Sequence, residues 1–170
     1  MIFLYSGTPG SGKSLHTAKI ILDDLRRGIP VICNFEINKD IVKHGYENFT
    51  YCETYSLCPE RLVQFSQEHF ANKRIKEDSI TLIIDEAQML FNPRDWNAKD
   101  RLQWLKFFQV HRHYGYSIIL VAQNDMMLDK QIRAVIEYEQ IHRKINNYGI
   151  KGWLLQIFFL APVLFVNYQI

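Results

Sequence analysis

Residues 7–14 read Gly-Thr-Pro-Gly-Ser-Gly-Lys-Ser, a complete G-x-x-x-x-G-K-[ST] pattern. An apolar run, Met1-Ile2-Phe3-Leu4-Tyr5, stands before it, and a helical pattern from Leu15 to Arg27 follows. Strand, tight turn and helix is the context this pattern needs, because backbone N–H groups must converge at a helix N-terminus to hold a phosphate. Glycines allow the backbone to curl that tightly. Gly7, Thr8, Pro9, Gly10, Ser11, Gly12, Lys13, Ser14 and the adjoining Leu15 are therefore the expected nucleotide contacts. Lys13 is expected to reach the β- and γ-phosphates as a point charge, and Ser14 to offer its hydroxyl to Mg²⁺. The four fixed positions arise by chance on the order of once per hundred chains of this length. A Gly-rich turn that binds nothing would need neither Lys13 nor Ser14.

Such a loop demands a buried sheet, and the composition supplies one. The chain has 170 residues, 48% of them hydrophobic, which suits one α/β domain and argues against disorder. A net charge of +2 does not mark a dedicated nucleic-acid binder. The densest basic spots, Lys73-Arg74-Ile75-Lys76 and Arg26-Arg27, read as solvated helix ends. Cys33, Cys52 and Cys58 are odd in number and lack metal-ligand spacing, which fits a reducing compartment. The N-terminus enters the first strand at once, so no signal peptide is expected and the loop should work on the cytosolic side.

Along the chain, Leu15, Ala18, Ile21, Leu22 and Leu25 follow helical spacing, with Gly28 and Pro30 closing the helix. Pro30 to Ile37 reads as a second strand and Phe49 to Cys52 as a short third. Pro59 opens a helix predicted to reach about Lys76, with Leu62, Phe65, His69 and Phe70 on one face. Ile80-Thr81-Leu82-Ile83-Ile84 is a continuous apolar strand ending in Asp85-Glu86, a Walker B pattern. A loop at residues 92–97 precedes a helix from Lys99 to His113, with Leu102, Leu105, Phe108 and Val110 expected inside. Ser117 to Gln123 is another buried strand, and Asp129 to Val135 a short helical segment. Residues 136–170 read as extra C-terminal strands beyond a core of about 1–135, with a turn at Asn146-Asn147-Tyr148-Gly149. Trp153 to Val166 is strongly apolar, but it holds Gln156 and Pro162 and is shorter than the ~20 residues of a spanning helix. It is read as aromatic-rich strand in preference to a membrane-associated segment.

Alternating strands and helices predict a largely parallel sheet flanked by helices, with ligands beyond the carboxyl ends of the strands. Three stretches meet at that edge: residues 7–14, Asp85-Glu86, and Gln123. Asp85 is expected to hold Mg²⁺ through water. Glu86 can orient and deprotonate a water for attack on the γ-phosphate. Gln123 is placed to sense the γ-phosphate or hold the attacking water. Hydrolysis also needs positive charge at the transition state, often an arginine from a neighbouring subunit. Arg133 and then Arg94 follow strands at this edge, whereas Arg112 precedes its strand and belongs at the opposite one. For each arginine alone a solvated surface role is the simpler reading.

Ile84-Asp85-Glu86-Ala87-Gln88, then Asn92-Pro93-Arg94, then His111-Arg112-His113-Tyr114-Gly115-Tyr116, then Ile119-Leu120-Val121-Ala122-Gln123 together resemble the zonula occludens toxin (Zot) family, which includes the filamentous-phage assembly ATPases. Tyr5 to Ser14 and Ile132-Arg133 with Tyr138 to Lys144 are similar too, so the resemblance covers about residues 1–145. It implies a RecA-like P-loop core that couples ATP hydrolysis to extrusion of single-stranded DNA virions through the host inner membrane. The implied partners are further copies of the chain in a ring, phage coat and assembly proteins, and single-stranded DNA touched directly or indirectly. Family members continue into one transmembrane helix, so this chain resembles the domain at the cytoplasmic face of that membrane. Preference for ATP over GTP follows from the family, since no N-K-x-D-type motif is present. His111 and His113 are two apart and do not share a helix face as i, i+4 metal ligands would, so that block reads as structural or interfacial. Two other readings remain open: a P-loop kinase, which would have little use for Glu86, and a toxin or binding module acting on epithelial junctions.

Overall fold

The computed structural model describes residues 1–42, 44–94, 98–145 and 165–169. Its strands are β1 (Ile2–Ser6), β2 (Val31–Cys33), β3 (Phe49–Tyr51), β4 (Ile80–Ile84), β5 (Tyr116–Val121), β6 (Tyr138–Lys144) and β7 (Phe165–Gln169). Its helices are α1 (Lys13–Arg26), α2 (Pro59–His69), α3 (Ala98–Val110) and α4 (Lys130–Arg133). The strands join one sheet in the order β3-β2-β4-β5-β1-β6-β7. Every pair is parallel except β6 with β7. This is the expected α/β architecture with added C-terminal strands.

Strand periodicity sorts the core into two layers. Ile2 and Leu4, Leu82 and Ile84, and Ile118 and Leu120 face α2 and α3 through Leu62, Trp104, Phe107 and Phe108. Tyr5, Ile83, Ile119 and Val121 face Ile21 and Leu25 of α1. All of β4 is buried, as a central parallel strand must be. Its one polar residue, Thr81, donates its hydroxyl to Asp24 Oδ2 of α1 at 2.7 Å. Gly28 ends α1 at φ +72°. Its N–H bonds Leu25 O at 3.0 Å, and the Ile29 N–H bonds Asp24 O at 2.9 Å, the double closure expected at a helix C-terminus.

Several boundaries differ from the sequence reading. α2 stops at His69, well short of Lys76, because Phe70 turns inward against Gly115 and Ser66 donates its hydroxyl to Tyr114 O at 2.8 Å. Beyond Phe70 only Ile75 is large and apolar, and it is exposed. Lys73-Arg74-Ile75-Lys76 accordingly lies in an exposed irregular stretch rather than at a helix end. α3 ends at Val110 and tightens into a 3₁₀ turn at His111–Tyr114. It buries Trp104, Phe107 and Phe108, while Leu102 and Val110 are 54% and 38% exposed. Trp104 and Phe108 pack on Phe91, with ring centroids 5.2 and 5.7 Å from it, and Phe107 packs on Tyr116 at 5.5 Å; that rotation turns Leu102 outward. The predicted turn at Asn146–Gly149 and most of Trp153–Val166 lie outside the described residues; Phe165 and Val166 belong to β7. No helix among the described residues is long and apolar enough to cross a membrane.

Candidate active site

The carboxyl end of β1 feeds a loop wedged between the two strands that flank it. The Gly7 N–H donates to Gln123 O, just past β5, at 3.2 Å. On the other side, a Cβ on Gly7 would stand 2.4 Å from His142 O of β6 and 2.7 Å from Ser11 Oγ. The backbone there, at φ +145°, is one that L side chains avoid. α1 then starts from Gly12 in the left-handed region with no side-chain cap. Its first N–H groups are thus left to a ligand, as at anion-binding helix ends. Ser11 is buried and its Oγ has no hydrogen-bond partner in the protein, so the cradle holds a polar atom that a ligand can satisfy.

Lys13 reaches back across this loop, donating from Nζ to Gly7 O at 2.5 Å and Thr8 O at 3.2 Å. Burial lowers its pKa, and the carboxylates of Glu86 and Asp85 oppose that shift. The lysine is therefore near enough to both acids that end β4 to feel their charge. Asp85 is half-buried, and burial raises its carboxyl above the ordinary range; Glu86 adds to this, while the Glu86 N–H and Lys13 pull the other way. The Glu86 N–H donates to Asp85 Oδ1 at 2.9 Å. Glu86 itself sits at φ 48°, ψ 47°, a left-handed conformation that turns the chain sharply at the end of β4. Its exposed carboxylate accepts from Gln88 Nε2.

Asn34 completes the setting and was not singled out from sequence. Its side chain donates to Asp85 O at 2.8 Å and accepts from Asp85 N at 2.7 Å, continuing the β2–β4 ladder where the strand backbone has stopped. That is why β2 ends at Cys33 instead of Ile37. A signal was present: Asn34 follows an apolar strand at the same edge as Asp85 and Gln123. Cys33 beside it is core, its thiol pushed up to about 12 by burial.

The remaining predicted residues are placed less centrally. Gln123 contributes its carbonyl to Gly7, and its side chain is exposed along a cleft of about 470 Å³ between the loop and β6. Arg133 pairs with Asp125 Oδ2 of its own chain at 3.2 Å and lies 3.0 Å from Met126 Sδ. Arg94 is exposed in the loop after β4, its N–H held by Asn92 Oδ1 at 2.9 Å. Arg112 pairs with Glu137 at the opposite edge, where Glu137 also accepts from the Ile2 N–H at 3.1 Å. Ser14 and Leu15 are exposed in the first turn of α1; Leu15, read at an inward helical position, is 63% exposed. His111 is buried, with Nδ1 2.6 Å from Phe108 O, so it serves the fold.

Oxygen donors from Ser14 and Asp85 suit Mg²⁺, which takes one or two protein oxygens and completes its shell with phosphate and water. Among the described residues no group of three or more His, Cys, Asp or Glu could hold a metal alone.

Residues 1–161 match the family model described as zonular occludens toxin (Zot). The chain belongs to the Zot family. The Gene 1 protein of Enterobacteria phage fd is 25% identical over 141 residues, covering 79% of this chain and 39% of that protein. The chain thus spans about two-fifths of the length of that relative. The N-terminal domain of zonular occludens toxin from Neisseria meningitidis superposes with a TM-score of 0.56 at 19% identity, covering 98% of this chain and 92% of that one. The genome packaging NTPase B204 of Sulfolobus turreted icosahedral virus 2, solved with ATP-gammaS, gives 0.56 at 21% identity, covering 82% and 74%. At these identities the likeness establishes the fold, that of P-loop NTPases.

Proposed function

We propose that this chain is a Mg²⁺-dependent ATPase domain whose turnover drives assembly and export of filamentous virions at the cytoplasmic face of the bacterial inner membrane. The observation that carries this reading is the uncapped N-terminus of α1, with Lys13 folded back over its loop and the unpartnered Ser11 Oγ inside it, at the same sheet edge as Asp85 and Glu86. A phosphate-binding loop alone would serve a kinase equally well. The second carboxylate, Glu86, exposed at that same edge, is what a hydrolase needs.

In the proposed reaction, loop N–H groups and the Lys13 ammonium hold the β- and γ-phosphates. Mg²⁺, held by the Ser14 hydroxyl and through water by Asp85, would neutralise charge on the phosphate oxygens. Glu86 takes a proton from a water as its oxygen bonds the γ-phosphorus. The bond from the γ-phosphorus to the bridging oxygen breaks, leaving ADP and inorganic phosphate. The left-handed turn at Glu86 aims its carboxylate away from the strand axis, toward solvent from which a water can be drawn. Arg133, already paired with Asp125, is the weaker choice for a residue acting on a neighbouring subunit; Arg94 is exposed and carries that role in this reading.

The assignment to virion export draws on the family and on the phage Gene 1 relatives. Further copies of the chain, coat and assembly proteins, and single-stranded DNA are the proposed partners. ATP turnover measured across a protein concentration series, wild type beside Glu86→Ala, tests the reading. Specific activity should rise with concentration and vanish in the variant while ATP still binds. Undiminished turnover in Glu86→Ala would remove the base, and no turnover by wild type despite Mg²⁺-ATP binding would replace the motor with a nucleotide switch.

A further inference from the structure

A second cleft, of about 460 Å³, opens on the far side of the phosphate loop, between the first turn of α1 and β7. We propose that it is the base-binding subsite, in which Leu15 and Phe165 form apolar walls for the nucleobase of the bound nucleotide. This rests on the nucleotide reading above and deepens it. The size lies within the ordinary range for small-ligand clefts, about 300–1,000 Å³.

Continuity is the first argument. Gly12 belongs to the phosphate loop and also lines this cleft, so a ligand anchored by its phosphates can extend directly into it. The Phe165 ring presses on that same glycine: a Cβ on Gly12 would stand 2.7 Å from Phe165 Cγ. Exposure is the second. Leu15, Phe165 and Val166 leave 63%, 40% and 37% of their surface in water, although α1 has a buried face available elsewhere. Three large apolar side chains held open around a cleft beside a polar loop are what a flat apolar ring would cover.

Polarity distinguishes this cleft from the other one bordering the loop. The cleft on the β6 side is lined chiefly by polar and charged side chains, Gln123, Asn124, Asp125, Glu139 and Arg143 among them, and offers a flat apolar ring less to cover. Among the described residues the α1–β7 cleft is lined by Leu15, Phe165 and Val166, with Lys19 at its edge and no carboxylate. Its floor is braced: His16 Nδ1 lies 2.9 Å from His142 Nε2 and 3.1 Å from the Asn167 amide, tying α1 to both β6 and β7. The Tyr5 ring stacks beneath His16, with centroids 4.9 Å apart. β7, antiparallel to β6, thereby gains a role: it carries Phe165 to the mouth of the loop.

Calorimetric titration of the full chain with Mg²⁺-ATP and with Mg²⁺-tripolyphosphate separates base from phosphates. Phe165→Ala and Leu15→Ala should each weaken ATP binding, roughly 5- to 150-fold for the aromatic by analogy with base stacking on protein rings. Tripolyphosphate affinity should stay within about twofold of wild type, and Phe165→Tyr should restore ATP binding. Both sites are exposed, so truncation leaves the core intact. ATP affinity unchanged in both alanine variants overturns the subsite, as does parallel loss of both ligands. Wild type binding tripolyphosphate as tightly as ATP overturns the subsite while sparing the phosphate loop. Wild type binding neither ligand overturns the nucleotide reading, and the subsite falls with it.

Discussion

Gly7→Ala asks whether the loop is truly wedged between the strands beside β1. The new methyl would meet His142 O at 2.4 Å and Ser11 Oγ at 2.7 Å, distances no real Cβ tolerates. His142 O sits on β6, whose residues pair with β1 from Phe3 through Ser6, so the loop must yield rather than the strand. Two costs add. A side chain at φ +145° incurs backbone strain of about 1–3 kcal/mol. Overpacking adds about 1–3 kcal/mol. The sum, roughly 2–6 kcal/mol, is a large share of a domain stability of about 5–15 kcal/mol. Gly10→Ala supplies the control: it too has positive φ, +73°, but nothing lies within 4 Å of its Cβ. It should lose only the strain, about 1–2 kcal/mol. Urea denaturation followed by circular dichroism should therefore place the Gly7→Ala midpoint below that of Gly10→Ala by about 0.5–1.5 M, for a slope near ~2 kcal/mol per molar. Coincident midpoints would refute the wedge and with it the claim that β5 and β6 jointly set the loop.

Other outcomes test the remaining parts. Lys13→Ala removes an ammonium held across the loop by Gly7 O and Thr8 O, and Mg²⁺-ATP affinity should fall about 10- to 100-fold by titration, with the fold retained; wild-type affinity would exclude the phosphate role. Thr81→Val deprives the buried Asp24 carboxylate of its 2.7 Å partner and should cost about 1–3 kcal/mol in the same urea assay. An unchanged midpoint would mean that the contact carries no net stability. His16 and His142 both have pKa values below the ordinary range, chiefly through burial, with Lys19 beside the first and His16 and Lys13 beside the second. The unfolded chain then takes up protons first, so stability should be full above about pH 6.5 and decline as pH falls from there toward the lowered folded values. The variant His142→Gln should flatten that slope; a slope unchanged by it would move the effect to other groups.

The tight glycine-rich turn between β1 and α1, the acids after β4 and the parallel sheet were all legible in the sequence. Each depends on local pattern: glycines that permit one turn, and apolar runs that only a doubly covered strand can bury. Chain order and the edge rule then sufficed to bring Lys13, Asp85, Glu86 and Gln123 to one side. What the linear pattern left undecided are relations across the sheet. Leu102 and Phe107 are both apolar on one helix, and only packing against Tyr116 of β5 chose the second for the core. Asn34 reads as one more residue of a strand running to Ile37 until its amide is seen to clasp the backbone of Asp85, 51 residues away. Leu15 continues the apolar spacing of α1, yet the sheet it would face lies under later turns, so it stays in solvent beside Phe165. Periodicity records which residues can be buried, whereas long-range packing decides which ones are, and that choice set both the wedge at Gly7 and the open cleft beyond it.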